Sequence, residues 1–212
     1  LINTICNTDS LRLSGKTSKK DTKAREEEVR KAISSDLVRW VKEKGGEVVR
    51  EPGGALVVTE IMLFADADKT EAIQTLLRAL TVPYPSSSDT PHPIDLPHTS
   101  RLYKTLIQGG HFNHGTSSIS LAPASTWDRI YFARQFVQNV GKEGVVGMCT
   151  KGEGNGAFVV AELCGALVAD EAGAEAKERE EVKRWFSNTV RKEIQEGEAK
   201  GKKVLLEKLA LL

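Results

Sequence analysis

His111 and His114 stand three residues apart in the run His111-Phe112-Asn113-His114, with His92 and His98 upstream. Imidazoles are the commonest metal ligands, but a site needs three or four of them, or of their equivalents, converging. No cysteine or carboxylate shares this spacing, so the four are read as surface-loop histidines and no metal is expected. A second constellation is Val145–Cys149 followed by Gly152-Glu153-Gly154-Asn155-Gly156 and an apolar stretch, which has the outline of a strand, a glycine loop and a dinucleotide-binding helix. That chemistry also needs a βαβ unit and an acidic residue ending a second strand about 20 residues further on. Here an acidic helical run over 170–181 occupies that place, and no Gly-Lys-Ser/Thr ending marks a phosphate loop. A turn opening a helix is expected instead. Ser117, Ser118 and Ser120 lack the glycine-flanked elbow of a hydrolase nucleophile, and Cys149 has no base near it in sequence and is read as a small buried residue. The expectation is a protein that is not an enzyme and holds no cofactor.

What remains is charge held in clusters. The whole chain carries 30 Lys and Arg against 29 Asp and Glu, a net +1 over 212 residues, so any electrostatic footprint for a polyanion must be local. Lys16, Lys19, Lys20, Lys23 and Arg25 crowd one segment, and Arg191, Lys192, Lys200, Lys202 and Lys203 crowd another. Acids such as Glu26–Glu28 and Glu193 interleave with both, so ordinary solvated helix surface is the competing reading. Cys6, Cys149 and Cys164 are widely spaced without a C-x-x-C pair, which suits a reducing nuclear or cytosolic compartment. Every apolar run is interrupted well short of the roughly 18 residues that span a bilayer, and no membrane partner is expected. The chain starts at Leu1 with no initiator Met and is read as a piece of a longer protein.

Helices must position whatever the clusters do. Residues 21–43 hold Val29, Ala32, Ile33, Leu37, Trp40 and Val41 at helical spacing behind an Asp21 cap, with a break and restart expected at Ser34-Ser35-Asp36. Asp68 is read as capping a helix with the stripe Ile73, Leu76, Leu77 and Leu80. Ser125 with Asp128 resembles a capping box, opening a helix that buries Trp127, Ile130, Ala133, Val137 and Val140 and stops at Gly141. A charged helix over about 174–196 presents Val182, Trp185, Phe186, Val190 and Ile194 on one face. The stretches 83–97 and 109–123 read as loops or insertions, and 1–20 as a linker or the end of a preceding repeat.

A small or polar start followed by an apolar helix recurs over 54–61, 100–107, 156–163 and 202–209, at intervals of 46, 56 and 46 residues. About ten extra residues near Gly109 to Ser118 account for the longer middle interval. A period in the forties with helices between predicts an all-α fold, an α-solenoid of about four repeats over 21–212, in which each unit buries its apolar face only against its neighbours.

At these segments the chain resembles the C-terminal part, the CPL-type region, of the penguin or Puf-A branch of the Pumilio repeat superfamily. The resemblance is carried by Lys19-Lys20-Asp21-Thr22-Lys23 with Ala32-Ile33-Ser34, by Glu47-Val48-Val49 leading to Leu56-Val57-Val58, by Leu102 to Ile107, and by Lys203 to Leu209. It implies a nucleolar protein that binds RNA or DNA with little sequence preference, serves pre-rRNA processing and large ribosomal subunit biogenesis among pre-ribosomal proteins, and represses mRNA translation in fungal members. Pumilio-type repeats that read sequence place three side chains per repeat helix against a base. By alignment those positions are Ala55, Leu56 and Thr59; Arg101, Leu102 and Thr105; Ala157, Phe158 and Ala161; and Lys203, Val204 and Glu207. Almost no edge-reading chemistry stands there, so contact is expected through cations to phosphates, falling steeply with salt and similar across sequences. The candidate contact residues are Lys19, Lys20, Lys23, Arg101, Lys104, Lys202 and Lys203 of a monomeric arm. The near-neutral charge sustains an alternative, a solenoid whose concave face docks a ribosomal protein or assembly factor.

Overall fold

The computed structural model describes residues 21–86, 90–151, 154–170 and 177–212, so the expected linker over 1–20, with Lys19 and Lys20, lies outside the described residues. Helix α1 (Thr22–Val48) starts where Asp21 accepts hydrogen bonds from the backbone N–H of Lys23 and Ala24 at 3.0 and 3.3 Å. It runs without the expected break at Ser34. That hydroxyl, fully buried, donates to the Arg30 carbonyl at 2.6 Å and accepts from the Asp66 N–H at 2.8 Å. A serine free to compete for its own backbone breaks helices; this one is engaged by another element and does not.

Pro52 opens α2 (Pro52–Phe64), and α3 (Thr70–Arg78) follows a turn in which the Asp68 carboxylate accepts from the Thr70 N–H and hydroxyl. A short 3-10 turn (Pro93–Asp95) leads into α4 (Pro97–Gln108), which stops at Gly109 in the left-handed conformation, φ 78°. The chain then forms a hairpin where only loop was expected: β1 (Gly110–Asn113) pairs antiparallel with β2 (Ser118–Leu121), Gly110 opposite Leu121 and Asn113 opposite Ser118. Strands of only four residues are too short for an alternation such as Ser118-Ile119-Ser120-Leu121 to stand out from loop, and the turn is held by Asn113 accepting from the N–H of Gly115 at 2.8 Å.

Helix α5 (Arg129–Thr150) is capped by Asp128 itself, accepting from Ile130 and Tyr131 at 2.9 Å each, so Ser125 is not the cap. Gly141, at φ 70° and ψ 177°, does end its first half, but helix resumes at once and takes in Val145–Cys149, which removes the strand of the dinucleotide outline. Cys149 is buried, as is Cys164 in α6 (Gly156–Val168), and burial pushes both thiols up, Cys164 to about 12. The single helix expected over 174–196 is two, α7 (Lys177–Trp185) and α8 (Asn188–Glu196), because Phe186 dives into the core between them. Helix α9 (Lys202–Leu209) ends the order. No helix among the described residues is long and apolar enough to cross a membrane.

These elements pack as two rows, the arrangement of an all-α solenoid. Helices α2, α4, α6 and α9 stack in succession, and α1, α3, α5 and α7 stack in succession behind them, with α8 against α5 and α9. The four members of the first row are the four sequence repeats, and the extra residues of the middle interval are the hairpin. The small residue that opens two of the repeats has a packing cause. A Cβ on Gly54 would come within 2.1 Å of the Val48 carbonyl oxygen, and one on Gly156 within 2.5 Å of that of Met148, because the end of each second-row helix crosses the start of the next first-row helix. One continuous apolar core fills the space between the rows, from Val38 and Val41 through Phe132 and Phe136 to Leu205 and Leu209.

Candidate functional site

Helix α4 shows its two cations outward because its apolar residues are committed inward. Leu102, Tyr103, Leu106 and Ile107 are buried, the Tyr103 hydroxyl donates to the Leu76 carbonyl at 2.6 Å, and the Trp127 indole donates to that of Leu106 at 2.8 Å. With that face locked, Arg101 and Lys104, three residues apart, stand on the opposite side with Thr105 and Gln108. They line a groove of about 670 Å³ whose other walls are the hairpin, through His111, Phe112 and His114, and the start of α6, through Asn155 and Phe158.

Electrostatics inside the groove are mixed. Lys104 Nζ lies 3.6 Å from Glu162, while Arg101 has no carboxylate partner among the described residues. His111 Nε2 sits 2.7 Å from a Glu60 carboxylate oxygen, and its ring stacks near Phe64 with centroids 6.2 Å apart. Phe112 is 52% exposed, braced edge-on by His114 at 5.0 Å. Phe158 lies half-buried, its ring against Gly201, where a Cβ would approach it to 2.7 Å.

Of the five predicted contact residues among the described residues, Arg101 and Lys104 share this groove and Lys23, Lys202 and Lys203 do not line it. Lys202 is engaged elsewhere: its ammonium donates to the Gln195 and Gly197 carbonyls at 3.1 and 2.6 Å, closing the C-terminal end of α8. Lys203 is exposed on α9, Lys23 is exposed at the start of α1 in the other row, and Lys19 and Lys20 lie outside the described residues. The reading positions expected from alignment split. Leu56, Arg101, Phe158, Lys203, Val204 and Glu207 reach solvent, whereas Ala55, Thr59, Leu102, Ala157 and Ala161 are buried. Leu102 is core where its counterparts Leu56 and Phe158 face out, so the outward register of α4 is one residue earlier than the alignment placed it.

Phe112 escaped sequence reasoning as a groove-lining residue; the available signal was an aromatic set among Gly, His, Asn and Ser in a supposed loop. The histidines also need correction. His92 is buried, its Nδ1 accepting from the Ile94 N–H and its pKa lowered by desolvation, and His98 Nε2 meets the Arg50 carbonyl at 2.7 Å, so these two are structural. Among the described residues no group of three His, Cys, Asp or Glu side chains could hold a metal ion.

Residues 3–117 match the CPL (NUC119) domain family. Pumilio homology domain family member 6 of Schizosaccharomyces pombe is 28% identical over 197 residues, which is 93% of this chain and 28% of that protein. The crystal structure of human Puf-A superposes with a TM-score of 0.65 at 23% identity, over 90% of this chain and 33% of that one. Human Puf-A in complex with DNA superposes at 0.58 and 20% identity, over 90% and 32%. The chain thus spans about a third, or less, of the length of these relatives.

Proposed function

The chain belongs to the CPL (NUC119) domain family, and from that we propose that it is a nucleic-acid-binding helical repeat scaffold that holds its ligand by the backbone and does no catalysis. The observation that carries the reading is the convergence of Arg101 and Lys104 with Phe112 and Phe158 in one groove on the first helix row. A human Puf-A structure that contains DNA supports it by likeness of fold. Recognition is largely independent of sequence, since the outward reading positions of the row carry Leu56, Arg101, Phe158, Lys203, Val204 and Glu207, among which no amide or carboxylate pair is set to grip a base edge. The finer reading follows the family resemblance: RNA as the ligand, pre-rRNA processing and large-subunit biogenesis in the nucleolus among pre-ribosomal proteins, and repression of mRNA as a second role.

Salt-titrated binding of the 212-residue chain to RNA, single strands and duplex DNA tests this. Binding that weakens linearly in log–log coordinates and ranks different sequences alike agrees with it. Absence of binding at low salt favours a second reading, docking of a protein on the same row. That reading has its own support in Glu162 beside Lys104, in Glu60 beside His111, and in Leu56 and Val204, 62% and 40% exposed.

A further inference from the structure

Phosphate contact alone leaves the groove's aromatic content unexplained. A phenylalanine more than half exposed on a short hairpin gives up the burial that its ring ordinarily gains. Two backbone cations need only a ridge, yet here they border a recess of about 670 Å³, inside the roughly 300–1,000 Å³ range of small-ligand sites. Its lining combines three chemistries: cations in Arg101 and Lys104, flat apolar rings in Phe112 and Phe158, and side-chain amides in Gln108 and Asn155. These are the needs of one nucleotide, whose phosphate is anionic, whose base has two π-faces and whose base edges both donate and accept. Lys104 is paired with Glu162 at 3.6 Å, which leaves Arg101 as the lining cation with no carboxylate partner among the described residues.

We infer that the groove between α4, the hairpin and α6 captures one unpaired nucleotide of a single strand, its base stacking on Phe112 and its phosphate held by Arg101. This rests on the nucleic-acid reading above and adds a preference to it. In the interior of a duplex both faces of every base are covered by neighbours, so Phe112 can stack only at the ends; at a loop, bulge or single strand the face is free. Phe158, wedged against Gly201, is the fixed wall, and Phe112 on the hairpin is the stacking face. The edge contacts available from Gln108 and Asn155 are adaptable amides, so no one base is required.

The test uses the 212-residue chain with a short uridine-rich RNA, the same strand as DNA, a blunt duplex of equal length, and a strand carrying one 2-aminopurine. Phe112→Ala should weaken binding of the tighter-held single strand roughly five- to a hundredfold, the usual span for loss of one stacked base. It should leave duplex binding and the salt slope unchanged, and Phe112→Trp should restore affinity. The 2-aminopurine should be quenched on binding to the unaltered chain and not to F112A. Phe112 is exposed, so its removal leaves the fold intact. If F112A binds single strands as the unaltered chain does while Arg101→Ala with Lys104→Ala weakens single strand and duplex alike, the nucleotide pocket is overturned and the backbone-binding reading stands. If the unaltered chain binds no nucleic acid at low salt, both fall.

Discussion

Helices α4 and α9 hold corresponding repeats of the first row and both carry cations, Arg101 and Lys104 on α4 and Lys202 and Lys203 at the start of α9, yet they present opposite uses of positive charge. On α4, Arg101 and Lys104 face a recess, and Arg101 has no carboxylate partner among the described residues. On α9, Lys202 bends back onto the carbonyls that end α8, and only Lys203 is left in the open. Two further members of the second basic cluster are engaged in the same way, while Lys200 is exposed. Arg191 donates to the Phe186 and Leu209 carbonyls, and Lys192 pairs with Glu196 at 3.8 Å. A lysine cluster in sequence is therefore not a binding surface until the ends of neighbouring helices, which attract the same cations, have taken their share.

The sharpest way to break this contrast is charge reversal. Arg101→Glu with Lys104→Glu should weaken RNA binding about a hundredfold or more at low salt, and the corresponding alanine pair should lower the magnitude of the salt slope by about 2. Lys202→Glu with Lys203→Glu should move affinity far less; equal losses at the two helices, read by fluorescence anisotropy, would remove the distinction between them.

Arg134 is the extreme of the structural kind. Its guanidinium donates to Asp170 at 2.5 and 3.1 Å, tying α5 to the end of α6, and Asp170 is nearly inaccessible. Arg134→Ala should cost about 2 kcal/mol in chemical denaturation, since an uncompensated buried carboxylate remains, with affinity for RNA unchanged. Lys202→Met should cost about 1 kcal/mol, the value of charge and hydrogen bonds at a helix C-terminus, again without a change in the salt slope.

The smallest effect concerns Lys69, whose buried ammonium donates to the Thr126 carbonyl and lies 5.8 Å from the centre of the Trp127 ring. Desolvation lowers its pKa to about 8. Between pH 8 and the unfolded value of about 10.5 the unfolded chain holds the extra proton, so folding becomes more favourable as pH rises through that window. Relative to Lys69→Met, the unaltered chain should gain on the order of 1 kcal/mol over this range, allowing for water that still reaches the group. Comparing the two chains at each pH isolates the effect from Tyr84, Tyr103 and the buried thiols, whose raised values act in the opposite sense above their ordinary pKa.

Much of the fold was legible in the residues. Apolar spacing and caps such as Asp21 marked helices because both are local: a stripe with period 3.6 and a carboxylate two or three residues from free N–H groups need no partner element. The repeat was legible for a related reason. Gly54 and Gly156 recur at the same place in their units because each must let a second-row helix end pass within contact distance. The all-α solenoid fold was thus decided by sequence.

The site was decided by tertiary structure. Arg101 and Phe112 lie eleven residues apart, but Phe158 comes from the next repeat and reaches the same recess only because α6 stacks on α4. Whether Ser34 breaks a helix depended on an N–H from Asp66, and whether Lys202 was free to bind depended on where α8 ends. A one-residue difference in register buried Leu102 and turned Arg101 outward. Periodicity reports which face of an element is apolar; which polar groups remain unclaimed on the other face is settled only when neighbouring elements arrive with donors and acceptors of their own.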